Sequence, residues 1–164
     1  MFSRYPLRRR LQDQGFACVD QKFISEMAPW VSWAPKFCFG FAVLGTVMAS
    51  PAILWSLGVT AFLGVFLPNH PFDYIYNFGV RRLTGTDPLP RNSAQRKFAC
   101  GMATVWLAGA GLAFYGGAMV TGFLLGGSLA AVAGLVSATN ICIPSLIYNA
   151  LFSVDTASEH PEAV

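Results

Sequence analysis

Residues 120–138 read VTGFLLGGSLAAVAGLVSA, and a small residue returns at every fourth position: Gly122, Gly126, Ala130, Gly134 and Ala138. Positions four apart lie on one face of a helix, so these five form a smooth ridge along it. Lipid tails are as apolar as leucine. Helices in a bilayer therefore associate by close packing, which small-residue ridges permit. The ridge lies inside 98–152, a stretch without Asp, Glu, Lys or Arg. Another apolar run, Phe98–Tyr115, precedes it, and Gly116-Gly117 is the expected turn between the two. The reading is a membrane-embedded helical hairpin whose ridge packs against 98–115 or against an adjoining subunit.

Composition agrees. Of the 164 residues 54% are hydrophobic and 12% charged, with mean hydropathy +0.50, against about 25% charged in soluble domains. A net charge of +3 is too small to argue for a nucleic-acid partner. The placement of charge says more: all eleven Lys and Arg lie in 1–36 or 81–97. The positive-inside rule then places both termini and the central loop in the cytoplasm of a bacterial inner membrane.

The remaining chain divides accordingly. Residues 1–35 form a basic arm with Arg4 and Arg8-Arg9-Arg10, suited to solvent, anionic lipid or an acidic partner. No apolar run follows the arginines, so the arm is not a signal peptide. A short surface helix is expected over 19–30. Residues 36–80 form a first hairpin and an interfacial segment. Its apolar block, 37–67, would be about 46 Å long as one helix, too long for a hydrocarbon core of about 30 Å. Ser50-Pro51 interrupts it, giving two short spans, 35–49 and 51–67, with a single kinked span as the rival. A loop over 81–96, a second hairpin with its exit over 97–152 and an acidic tail over 153–164 complete the chain. The two hairpins echo each other. Lys36-Phe37-Cys38-Phe39-Gly40-Phe41-Ala42 matches Lys97-Phe98-Ala99-Cys100-Gly101-Met102-Ala103, and Pro71 before Ile75-Tyr76-Asn77 matches Pro144 before Ile147-Tyr148-Asn149. The expected fold is an all-α membrane protein with four transmembrane helices in two parallel repeats.

The start Lys97-Phe98-Ala99 and the exit Asn140-Ile141-Cys142-Ile143-Pro144-Ser145 resemble an uncharacterised bacterial family of small integral-membrane proteins. Its members show paired hairpins and a late Cys-x-x-Cys. Some are linked with thioredoxin-like or sulfur-transfer proteins, so the resemblance implies thiol chemistry. Here the second cysteine position is Ser145, which removes the adjacent dithiol.

Read from the residues, Cys38, Cys100 and Cys142 fall at helix ends near the cytoplasmic surface, with Cys18 in the arm. Paired metal-ligand spacing is absent, and a buried cysteine commonly serves as a small hydrophobe. As reactive thiols the candidates are Cys142, Cys100 and Cys38, with Arg96 and Lys97 as the nearby cations that thiolates require. His70 could ligate a haem or pigment, but its turn setting favours an ordinary loop histidine. No catalytic constellation stands out, and neither apolar block brings an ionisable group into the bilayer as a transporter would. The sequence therefore leads to a non-catalytic accessory subunit of a larger membrane complex, respiratory or photosynthetic. It would hold no cofactor of its own and contact other subunits and lipid. The alternative is a thiol- or sulfur-handling membrane protein working with a thioredoxin-like or sulfur-transfer partner.

Overall fold

The structure, a computed structural model, describes residues 6–16, 21–26 and 28–152. Arg4, Cys18 and the acidic tail lie outside them. Every regular element among the described residues is helical. Short helices α1 (Leu7–Asp13), α2 (Gln21–Glu26) and α3 (Ala28–Val31) lead into α4 (Trp33–Val47) and α5 (Pro51–Phe66). Then come α6 (Pro71–Ile75), a π-helical turn (Tyr76–Val80) and α7 (Arg81–Thr84), followed by α8 (Ala94–Tyr115), α9 (Met119–Thr139) and α10 (Ile143–Leu151).

The turns sit where local chemistry puts them. Pro51 occupies the first turn of α5 after Ser50, where its missing N–H costs nothing. The α8–α9 turn passes through Gly117 at φ 77°, a conformation that glycine adopts freely. Asn140 closes α9 in the left-handed region, as Asn tolerates.

Two helices are long and apolar enough to cross a membrane, Ala94–Tyr115 and Met119–Thr139, and that is the signature of a membrane protein. A third crossing exists if Pro51–Phe66 and Pro71–Thr84, bent by 82°, count as one broken span. Helix α4, with 15 residues, is about 22 Å long at 1.5 Å per residue, short of a hydrocarbon core of about 30 Å. Of the four expected spans, two are therefore present as full-length helices and a third as a broken one, while α4 falls short of a crossing.

Helices α4, α5, α8 and α9 close a ring: α5 packs on α8, α8 on α9, α9 on α4 and α4 on α5. The short helix after each hairpin returns to that hairpin's first helix, α6 to α4 and α10 to α8. Exchanging the two units therefore reproduces the same neighbours. The core at the ring's centre joins Ala42, Leu54, Leu57, Ala61, Leu107, Ala110 and Phe114. On the ridge, Gly122 faces Phe114, Gly126 faces Thr46 and Gly134 faces Phe39. Its main neighbour is thus α4, rather than the expected α8, and Ala138 is exposed. The α5–α8 contact uses a different small face, Gly58, Ala61 and Gly64, on which Gly58 meets Leu107.

A second core lies at the end of the bundle. Leu11, Phe16, Val31, Tyr76 and Leu89 are buried together, with Trp30 and Trp33 stacked near Tyr76 at 5.0 and 6.0 Å. The arm expected to be solvated supplies Leu11 and Phe16 to this core, while Arg8 and Arg9 are exposed. The segment expected at the interface is a helical turn whose Asp73 and Tyr76 are wholly buried.

Candidate functional site

The cavity of interest opens where α8, α9 and α10 meet the end of the first hairpin. It holds about 330 Å³ and is lined mostly by carbon, yet Cys38, Cys100, Cys142, His70, Arg96 and Gln14 all border it. The three thiols and His70 arrive from four different elements. Cys38 lies in the second turn of α4 and Cys100 in the second turn of α8, the two echoed helix starts. Cys142 caps the amino end of α10, and His70 caps that of α6. The three thiols proposed from the sequence are therefore brought to one place, and all three are free.

His70 is 4% exposed and its orientation is fixed. Its Nδ1 accepts the N–H of Phe72 at 3.3 Å, which leaves the ring proton on Nε2. That nitrogen stands 4.0 Å from Cys38 Sγ, within the reach of a weak sulfur hydrogen bond. Burial, aided by the Arg96 charge, lowers the imidazole from its ordinary value to about 4, so it stays neutral near pH 7. Gly64 makes the space for this. A β-carbon there would sit 2.9 Å from His70 Cδ2 and 3.1 Å from Cys100 Sγ. Cys100 and the His70 ring thus flank the same glycine, while Cys38 approaches the ring at Nε2. Cys100 interacts electrostatically with both Cys38 and Cys142, and in that sense is the middle thiol.

Arg96 anchors the polar end. Its guanidinium lies 3.5 Å from the Asp73 carboxylate and 5.5 Å from the centre of the Phe16 ring, in cation–π range. Asp73 is wholly buried, and that burial raises its carboxyl above the ordinary range despite the neighbouring Arg96. Buried charges of this kind persist only when paired. Sequence reasoning named Arg96 but passed over Asp73, whose signal was a lone acid in the aromatic stretch 72–78. Of the other named residues, Lys97 does not border the cavity. Ser145 is wholly buried, and its hydroxyl has no partner among the described residues.

The arm seals this end from above. Arg10 donates to the Thr139 carbonyl at 3.0 Å and Gln14 to the Asn140 carbonyl at 2.8 Å. Asn149 donates to the Asp13 carbonyl at 3.0 Å, and Ser93 donates to the Gln14 carbonyl. No group of three or more His, Cys, Asp or Glu among the described residues is arranged to hold a metal ion. What the arrangement offers is thiol chemistry: three sulfurs bordering one largely apolar chamber, a fixed N–H donor and a guanidinium.

No curated protein and no solved structure matches the chain. Residues 29–152 match the model of a domain of unknown function, DUF4395. That stretch contains both hairpins and the three cavity thiols, and by it this chain belongs to the DUF4395 family.

Proposed function

We propose that this is a membrane thiol protein that passes electrons or sulfur between its own cysteines and a thioredoxin-like or sulfur-transfer partner. The observation that carries the reading is the meeting of Cys38, Cys100 and Cys142, from both units, at one cavity beside His70 and Arg96. Ser145 occupies the place of an adjacent second cysteine, so the resolving role falls to Cys100, the middle thiol. Exchange between a dithiol of this chain and a partner's disulfide, or the reverse, moves two electrons and two protons through a mixed disulfide. Cys142, in the α9–α10 connection, is the thiol assigned to meet the partner.

In this reading the ring of α4, α5, α8 and α9 sits in a bacterial inner membrane as four spans, with the bilayer thinned around the two short ones. Both termini and the cavity end face the cytoplasm. The test is differential labelling of intact membranes with permeant and impermeant maleimides. Labelling of Cys142 from the cytoplasmic face, together with loss of partner exchange in Cys142→Ser, is the expected result. An unlabelled Cys142 and a silent Cys142→Ser variant would sink the proposal.

The accessory-subunit reading has separate support in the outward aromatics of α5, where Phe62 and Phe66 meet edge-on at 5.0 Å and are largely exposed. Purification from native membranes separates the two. Stable recovery in a larger assembly, with inert thiols, favours the subunit.

A further inference from the structure

The cavity's walls differ in character. At the polar end Gln14, Arg96 and His70 close it beneath the arm, whose hydrogen bonds tie it to α8, α9 and α10. On the cavity's outer side stand Trp106, Ile143 and Ile147, each between 38% and 40% exposed. They lie on the outer surface of α8 and α10, where a bilayer would surround the chain. Just beyond, the Trp106 indole N–H donates to the Leu125 carbonyl and to Ser128 Oγ, both at 3.1 Å, pinning α8 to α9. A molecule reaching the thiols from the side thus passes apolar side chains, and one approaching along the bundle axis meets a sealed face.

We propose that this cavity is a binding site for a lipid-soluble quinone, which takes electrons from the thiols that line it. The proposal rests on the thiol reading above and adds the co-reactant. Three features select this class. The cavity, at about 330 Å³, is at the small end of the range of about 300–1,000 Å³ for ligand sites, suited to a planar ring. Its lining is apolar except at the inner end, where two donors converge. Arg96 uses one of its five N–H groups on Asp73, and His70 presents Nε2–H. Both suit the carbonyl oxygens of a quinone and the phenolic oxygens of its quinol. The third feature is the pair Cys38 and Cys100 in the cavity's lining, the reductant such a ligand needs.

The step balances. Cys38 and Cys100 lose two electrons and two protons as their S–H bonds break and one S–S bond forms. The quinone gains both electrons and both protons and leaves as quinol. A partner dithiol then reduces the disulfide by exchange through Cys142. Electrons flow from partner to chain to membrane.

The experiment uses the full chain, reduced and anaerobic, in phosphatidylcholine–phosphatidylglycerol vesicles with decylubiquinone as the probe. Quinol formation is followed by absorbance, and cysteine linkage by mass spectrometry without reduction. One quinol per chain together with a Cys38–Cys100 disulfide is the expected outcome. Cys100→Ser should abolish both. Val132→Trp, which adds bulk to the cavity wall, should slow quinol formation by about tenfold, which corresponds to about 1.36 kcal/mol. Exchange with a water-soluble disulfide such as oxidised glutathione is followed in parallel on the wild-type chain. Thiol exchange without quinol formation overturns the quinone proposal and leaves the thiol function standing. Inert thiols in both assays overturn both. A thioether adduct of the quinone in place of the disulfide also overturns it, because it marks mere arylation.

Discussion

The two hairpins are one design at two lengths. The first is built from helices of 15 and 16 residues and the second from helices of 22 and 21. Both start with the same Lys-Phe motif and both end in a short helix that returns to its own first helix. Counting back from the shared Ile-Tyr-Asn triplets aligns His70 with Cys142 and Asp73 with Ser145. His70 and Cys142 cap equivalent helices, and Asp73 and Ser145 are both wholly buried. The backbone positions are shared, but the chemistry is divided: the first unit supplies a histidine and a carboxylate, the second a thiol and a hydroxyl. The shorter hairpin leaves the end of the bundle to be completed by α6, Arg96 and the arm, and that is where the cavity is polar. In this molecule the duplicated scaffold does the packing, and the differences between copies make the site.

The sharpest way to break this comparison is at the charge pair. Arg96→Met strands Asp73 without its cation in a dry setting, and losses of that kind run to about 3–5 kcal/mol. Chemical denaturation in detergent should show it, and adding Asp73→Leu should recover most of the loss. Equal stability of Arg96→Met and wild type would mean the pair does not hold the first unit's exit.

A smaller effect is expected between the units. A side chain at Gly126 runs into Thr46 of α4, whereas Gly127 faces open space. Gly126→Leu should cost about 1–3 kcal/mol by overpacking, and Gly127→Leu should stay within about 0.5 kcal/mol. Similar losses for both would show that the ridge does not carry the α4–α9 contact.

The pH response separates the two caps. His70 titrates at about 4 in the folded chain, below its ordinary 6.5. The folded state thus refuses a proton that the unfolded state accepts. Stability is full above pH 6.5 and falls as pH drops from 6.5 towards 4. Between pH 6.5 and 5 the loss should be about 2 kcal/mol. His70→Gln should remove that slope while leaving any contribution of Asp73 in place, and melting curves across the window decide it.

The smallest effect belongs to the aligned position in the second unit. Ser145→Ala should be neutral within about 0.5 kcal/mol or slightly stabilising, since it removes a buried hydroxyl with no partner among the described residues. A loss above about 1 kcal/mol would show that this hydroxyl holds α10 as firmly as Asp73 holds α6.

What could be read in the sequence was local. The ridge, the Gly116-Gly117 turn, the break at Ser50-Pro51 and the repeat all depend on neighbours within a few residues. The small face of α5 was missed because Gly58, Ala61 and Gly64 recur every third position, not every fourth. The Arg96–Asp73 pair was missed because each residue alone reads as a loop charge, and only tertiary packing joins residues 23 positions apart. The individual thiols were legible, but their meeting was not. Cys38, Cys100 and Cys142 converge only because the ring brings both hairpin mouths to one end. Sequence spacing therefore argued against a dithiol that the fold makes available.

The ring's exchange of neighbours is a symmetry that a pair of identical single units would share. The two units touch through α5 on α8 and α4 on α9, the same pair of surfaces used twice. That is the rule of an isologous dimer. A chain carrying a single unit would reach the same four-helix ring by pairing with a copy of itself, and its site would appear twice. Within one chain the two copies need not match, so one asymmetric chamber stands where such a homodimer would hold two identical ones.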